Sequence, residues 1–150
     1  MKNKKIFFIS LIIFILDRVS KMLVIDMNFE YHPIIKDVLS ITPTINTGAA
    51  FSILQGHQTL LIVLSCIALI YLFQMFNKNL LARPLQVGWG LVLGGALGNL
   101  FDRIIYGFVV DFIRFEPINF PVFNLADAFI TIGTIIIFYY YLFGEKFSNE

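Results

Sequence analysis

The sequence has one cysteine, two histidines and few charged residues, and each scarcity argues against a class of site. Cys66 stands alone, so no intrachain disulfide can form. His32 and His57 are isolated and no His-Glu-x-x-His pattern occurs, which argues against a zinc site. No glycine-rich phosphate loop precedes a lysine. The formal net charge is only +1, which offers no electrostatic case for binding nucleic acid.

Apolar residues are abundant by contrast. They make up 58% of the 150 residues, whereas charged residues make up 14%, and the mean hydropathy is +0.81. A soluble domain of this length has too little interior to bury 17 phenylalanines together with long runs of isoleucine and leucine. The composition therefore predicts a polytopic membrane protein that forms one domain over residues 1–150.

Four stretches are apolar enough to cross a bilayer, which requires about 20 helical residues each. They are residues 6–25, 57–76, 85–105 and 122–143. No small-x-small cleavage motif follows the basic and apolar N-terminal region, so the first span is predicted to be uncleaved. Basic residues in short flanks favour the cytoplasmic side, and here they predict that both termini are cytoplasmic. These basic residues are Lys2, Lys4, Lys5, Lys78, Arg83 and Lys146.

The two outer segments, residues 26–56 and 106–121, contain patterns typical of strands. Apolar and polar residues partly alternate from Val38 to Ile45, and Pro43 interrupts that alternation. Residues 108–110 favour strand structure and are predicted to pair with this segment. The expected fold is thus an all-α polytopic membrane protein with four transmembrane helices and a small extracytoplasmic β element.

Polar residues from separate parts of the chain fall at one depth, near the outer membrane surface. In this topology Asp17 and Lys21 share one face of the first span, since residues four apart are neighbours on a helix. Asn99 and Arg103 have the same spacing in the third span. The other members of this layer are Asn46, Gly48, Asp102, Asp111, Asn124 and Asp127. Scattered interfacial residues would instead occur at both surfaces, so the asymmetry favours a functional site.

Asp111 and Asp127 suggest the chemistry of that site. Two carboxyl groups at close range do not readily ionise together, so one serves as a base while the other retains a proton. Such a pair can activate water and protonate a leaving amine, which is peptide hydrolysis without a covalent intermediate. Asn124 is placed to orient Asp127 or a substrate carbonyl, and Arg103 to balance charge or to hold a loop backbone.

Two other classes of function remain open on these residues. Acidic residues inside membranes also mark ion paths, so a proton- or ion-coupled transporter is one alternative. A transport path needs polar groups throughout the membrane or a repeat, and the sequence shows neither. A small structural subunit is the other alternative, which would gain support if both aspartates proved dispensable.

Five motifs in this order resemble the lipoprotein signal peptidase (signal peptidase II) family over nearly the whole chain. The motifs are residues 17–21 (DRVSK), 46–51 (NTGAAF), 94–103 (GGALGNLFDR), 109–112 (VVDF) and 120–127 (FPVFNLAD).

The resemblance implies a catalytic dyad of Asp111 and Asp127 in an aspartyl endopeptidase of the bacterial cytoplasmic membrane, with its active site toward the extracytoplasmic face. It implies cleavage of prolipoproteins on the N-terminal side of a diacylglyceryl-modified cysteine, among membrane lipid and with neither metal nor organic cofactor. A monomer is expected. The family also has an outer β-cradle and an amphipathic periplasmic helix. Supporting or substrate-contacting roles are implied for Asp17, Lys21, Asn46, Gly48, Asn99, Arg103 and Asn124.

Overall fold

The computed structural model describes residues 3–27, 30–49, 53–78 and 81–144. Lys2 and Lys146, on which the predicted orientation partly depends, lie outside these ranges, and so do Ala50 and Phe51 of the second motif; the Lys78 side chain is also not described. The elements in chain order are α1 (Lys4–Asp26), β1 (His32–Ile35), β2 (Leu39–Asn46), α2 (Gln58–Lys78), α3 (Arg83–Tyr106), β3 (Val109–Phe115) and α4 (Leu125–Phe143).

The four helices correspond to the four predicted spans. Among the described residues, two of the helices are long and apolar enough to cross a membrane, over Gln58–Phe76 and Leu125–Phe143. Helices α1 and α3 are 23 and 24 residues long, but α1 carries several charges and α3 several glycines. The helical fold is therefore confirmed, while the crossing of all four helices and the side of the termini stay predictions.

The fourth helix begins later than the sequence predicts. It starts at Leu125 and not at Val122, because the backbone just before it is extended and hydrogen-bonded to β3. The backbone of Phe123 pairs with Ile113 of β3, and Asn124 adopts an extended conformation as the helix N-cap. The apolar run thus begins three residues before the helix does, and the pairing of Phe123 with Ile113 connects the start of α4 to β3.

Helix α3 lies between α1 and α4, and its glycines allow the close approach. A Cβ atom on Gly94 would lie 2.7 Å from the carbonyl oxygen of Ser10 in α1. A Cβ atom on Gly95 would lie 2.5 Å from the carbonyl oxygen of Ala126 in α4. Neighbouring glycines thus face opposite partners, as expected for small residues at membrane helix contacts.

The strands form one antiparallel sheet in the order β1-β2-β3, which confirms the predicted β element. Thr44 pairs with Asp111 and Asn46 with Val109, so β2 and β3 bring two site residues to one end of the sheet. The register shifts between Ile41 and Thr44, around Pro43, which has no N–H to donate.

The amphipathic helix implied by the family resemblance does not occur in the described part of the outer segments. Residues 53–56 form a turn that leads into α2.

Candidate active site

Strand β3 and helix α4 bring the two aspartates to one cavity. Asp111 lies in β3 and is only 2% exposed, while Asp127 is the third residue of α4 and is half-buried. Both line a cavity of about 680 Å³, together with Asn46, Asn99 and Arg103. The predicted polar layer is therefore a single site in space.

Asn124 connects the two acids. Its Nδ2 donates to Oδ1 of Asp111 at 2.6 Å, and its Oδ1 accepts from the backbone N–H of Asp127 at 2.9 Å. The Asp127 carboxylate in turn accepts from the backbone N–H of Asn124 at 3.2 Å, which completes a capping box at the start of α4. The same contacts that begin the helix thus fix both carboxyl groups.

Asn46 supplies a second donor to Asp111. Its Nδ2 lies 2.8 Å from Oδ2 of Asp111, while its Oδ1 accepts from the backbone N–H of Gly48 at 2.8 Å. Because the oxygen is held by a backbone donor, the amide has one favourable orientation, with the NH₂ group toward the carboxylate.

Asn99 supplies a side-chain donor to Asp127, as Asn46 does to Asp111. Its Nδ2 donates to Oδ1 of Asp127 at 2.8 Å, and its Oδ1 accepts from Nζ of Lys21 at 3.0 Å and from Asn124 at 3.1 Å. The amide of Asn99 therefore links Lys21 to Asp127. Three asparagines each hold the oxygen end of the amide on a donor and direct the NH₂ end at a carboxylate.

A buried charged cluster lies behind these asparagines and joins α1 to α3. Nζ of Lys21 is 2.8 Å from Oδ2 of Asp17 and 2.8 Å from Oδ2 of Asp102. Arg18 pairs with the other oxygen of Asp102. Asp17, Lys21 and Asp102 are fully buried, so this arrangement depends on each charge having its partner. Oδ1 of Asp17 also accepts the backbone N–H of Ala126 at 3.2 Å, which links the cluster to α4.

Arg103 holds the loop that follows β2. Its Nη2 donates to the carbonyl oxygen of Gly48 at 2.9 Å, next to the segment that positions Asn46. Gln58, at the start of α2, donates to the neighbouring carbonyl of Thr47 at 2.6 Å. Two side chains from different helices thus fix the backbone on one side of the cavity.

The surroundings of Asp111 disfavour its charged form. The pKa of Asp111 is raised from 3.8 to about 6; burial is the largest cause, and the nearby Asp127 carboxylate also contributes to the rise. Hydrogen bonds from Asn46 and Asn124 oppose this change by stabilising the carboxylate. A carboxyl group that keeps its proton close to neutral pH, beside a second acid, is suited to acid–base catalysis.

The geometry brings every predicted site residue into one connected network of hydrogen bonds. Asn124 links Asp111 to Asp127. The remaining predicted residues are hydrogen-bonded to these three or to one another, and they are Asp17, Lys21, Asn46, Gly48, Asn99 and Arg103. Within the described ranges no group of three or more His, Cys, Asp or Glu residues is arranged to hold a metal ion. The arrangement suits proton transfer to and from a bound water.

Sequence reasoning missed two contacts of this network. It placed Asp102 in the polar layer without a partner, and it assigned no role to Arg18 or Gln58. Spacing along one helix predicts that Asp17 and Lys21 are neighbours. The Arg18–Asp102 pair joins two helices and therefore gives no periodic pattern in the sequence. Only the rotation of α1 against α3 brings these two side chains together.

Known proteins share this arrangement of elements. The sequence model of signal peptidase (SPase) II matches residues 9–143. A lipoprotein signal peptidase of Halothermothrix orenii is 40% identical over 146 residues, which cover 96% of this chain and 99% of the relative. That of Clostridioides difficile is 38% identical over 136 residues, covering 89% of this chain and 92% of the relative.

Two solved structures agree with these sequence matches. A bacterial membrane enzyme superposes with a TM-score of 0.84 at 35% identity, covering 95% of this chain and 89% of its own. A second bacterial membrane enzyme gives a TM-score of 0.78 at 37% identity, with 87% and 88% covered. With the matched family and the shared fold taken together, the chain belongs to the signal peptidase II family of membrane-embedded proteases.

Proposed function

We propose that this protein is an aspartyl endopeptidase that removes the signal peptide from lipid-modified prolipoproteins. It cuts on the N-terminal side of the diacylglyceryl-modified cysteine. One observation carries the proposal: Asp111 and Asp127 line one cavity and are joined through Asn124 in a chain of the signal peptidase II family. The name of the relatives, lipoprotein signal peptidase, supports the substrate class.

The proposed reaction uses the two carboxyl groups in opposite protonation states. The ionised one takes a proton from water, whose oxygen attacks the scissile carbonyl, while the other gives its proton to the carbonyl oxygen. The tetrahedral intermediate then collapses, the C–N bond breaks, and the amine leaves with the proton taken from water. The carbonyl oxygen returns the other proton, so the pair ends as it began.

Asp111 is the acid in this scheme. Burial and the nearby Asp127 carboxylate hold the pKa of Asp111 at about 6, well above its ordinary value of 3.8. Asp127 is half-buried beside the cavity, and its carboxyl oxygens accept N–H donors from Asn99 and Asn124. Asp127 is therefore the base that activates water.

The position of the cavity fits a substrate held in the membrane. Beyond Asp127 its wall continues along α4 through Ala128, Thr131 and Ile132, and Ile132 is 48% exposed on a helix apolar enough to span a bilayer. A substrate whose signal helix and acyl chains lie in the bilayer can reach this wall from the side. We infer that all four helices cross the bacterial cytoplasmic membrane and that the cavity faces outward.

A single chain completes the cavity, and we infer that the enzyme acts as a monomer without metal or organic cofactor. The test is a cleavage assay in detergent or liposomes with two matched precursors, one carrying the diacylglyceryl cysteine and one with serine in its place. Cleavage of the lipidated precursor alone, unchanged by chelators, is expected. Equal cleavage of both precursors contradicts the substrate assignment, and inhibition that zinc or magnesium reverses contradicts the metal-free mechanism.

A further inference from the structure

Arg18 has a place in the charged cluster that the family resemblance does not assign. It lies in the C-terminal half of α1, with its side chain 11% exposed, and it pairs with the fully buried Asp102 of α3. Its guanidinium carbon lies 4.7 Å from the ring centre of Phe101 and 5.6 Å from that of Tyr106. Two aromatic rings and a carboxylate thus hold the guanidinium in one orientation.

The charges of the cluster balance only when Arg18 is counted. Asp17 and Asp102 contribute two negative charges, and Lys21 contributes one positive charge that both acids approach to 2.8 Å. Lys21 donates to Oδ2 of Asp17 and to Oδ1 of Asn99, whereas Oδ2 of Asp102, although 2.8 Å from Nζ, accepts no hydrogen bond from the described residues. The hydrogen bond that Asp102 does accept comes from Arg18, so Lys21 alone does not neutralise Asp102 fully.

We propose that Arg18 is a positioning residue for the acid pair: by neutralising Asp102 it leaves Lys21 to hold Asn99 against Asp127. This inference rests on the proposed aspartyl peptidase function. Without Arg18, Asp102 competes for Lys21 and draws it from Asn99. The amide of Asn99 then loses the contact that fixes its oxygen, and its NH₂ group no longer has a single orientation toward Asp127.

Loss of Arg18 also changes the electrostatic field at the acid pair. The charged groups that face the pair are Asp17, Arg18 and Lys21 from α1, Asp102 and Arg103 from α3, and the two acids themselves from β3 and α4; β2 contributes the neutral Asn46. Removal of Arg18 leaves the cluster behind the pair with one net negative charge. Extra negative charge favours retention of the proton that the pair shares.

The experiment compares Arg18→Gln, Arg18→Lys and the double variant Arg18→Gln/Asp102→Asn in the lipidated-precursor assay. Arg18→Gln is expected to lower kcat by roughly 10-fold with little change in KM, because it misplaces a catalytic group and leaves the substrate cavity intact. Its pH–rate profile is expected to move to higher pH. Arg18→Lys keeps the charge and is expected to recover part of kcat.

The double variant separates charge balance from a merely structural role. It removes both members of the pair and leaves Asp17 with Lys21, so kcat and the pH profile are expected to return toward the wild-type values. Arg114→Gln is the matched control, since Arg114 forms an exposed pair with Glu116 at the other end of β3. If Arg18→Gln does not accumulate in folded form, recovery of folding and cleavage in the double variant supports the proposal.

Three results would overturn the proposal. They are wild-type kcat and pH profile in Arg18→Gln, a loss in Arg114→Gln as large as that in Arg18→Gln, and a double variant no better than Arg18→Gln. In each case a wild-type enzyme that cleaves the lipidated precursor keeps the proposed function intact. Failure of the wild-type enzyme itself contradicts the proposed function instead.

Discussion

Asn124 and Asp111 are joined by a hydrogen bond of 2.6 Å between Nδ2 and Oδ1, and the same Asn124 is the N-cap of the helix that carries Asp127. The residue that begins α4 therefore also holds the acid pair. A helix cap ordinarily satisfies free backbone N–H groups and does little else. Here the cap also sets where one carboxyl group stands relative to the other.

Variants of Asn124 are expected to separate capping from catalysis. Asn124→Ala removes the cap and should lower stability by about 1 kcal/mol. Asn124→Ser retains a good capping oxygen but loses the NH₂ group that reaches Asp111. Both variants should lose cleavage by about 10- to 100-fold, since each removes the NH₂ donor to Oδ1 of Asp111. Thermal unfolding and cleavage rates measure the two effects, and near-normal cleavage by Asn124→Ser would show that this amide is not needed.

The pH dependence of cleavage should reflect the proton on Asp111. Its pKa is raised to about 6, chiefly by burial, so Asp111 keeps its proton below that pH. As pH rises through about 6, the free enzyme loses this proton and with it the catalytic acid. We expect kcat/KM, which reports the free enzyme, to fall across that range. A profile that instead rises there, with kcat/KM highest above pH 8, would contradict this protonation state.

Arg103 should matter for the loop as well as for charge. Arg103→Ala removes the donor to the Gly48 carbonyl and a cation near both acids, so we expect lower stability and a cleavage loss of about 10-fold or more. Arg103→Lys keeps the charge but not the planar guanidinium, and it should fold better while remaining impaired. A stable, fully active Arg103→Ala enzyme would rule out this structural role.

Gly95→Ala should push α3 away from α4. The added Cβ would lie 2.5 Å from the backbone carbonyl oxygen of Ala126, which cannot move without moving the start of α4. A loss of stability of about 1–3 kcal/mol is expected, accompanied by a loss of cleavage. Ile105→Ala is the control on the same helix, because Ile105 is 57% exposed and its truncation should change stability little. Equal unfolding temperatures for Gly95→Ala and wild type would refute the close contact.

Local periodicity predicted much of this site. The i,i+4 spacing predicted that Asp17 and Lys21 are neighbours, and Nζ of Lys21 lies 2.8 Å from Oδ2 of Asp17. The alternation around β2 and the apolar residues before Asp111 predicted the strand pair that carries Asn46 and Asp111. These features depend on residues close in sequence, or on a pleat with a fixed period, and a sequence displays both directly.

Contacts between distant elements were not predictable in the same way. Arg18 meets Asp102 because Gly94 allows α1 and α3 to pack closely at one rotation, and no spacing encodes that rotation. The start of α4 was misplaced because Val122 and Phe123 are as apolar as the helix that follows, although Phe123 forms an isolated bridge with Ile113 of β3. The orientation of each asparagine amide also depends on donors from other elements.

The most direct test of the proposed mechanism is cleavage of a lipidated precursor by Asp111→Asn and Asp127→Asn, each purified and shown to be folded by thermal unfolding. Both are expected to insert in the membrane and to lose cleavage by about 100-fold or more, because one lacks the acid that protonates the scissile carbonyl oxygen and the other lacks the base that takes a proton from water. Near-normal turnover by either folded variant would contradict the two-aspartate mechanism.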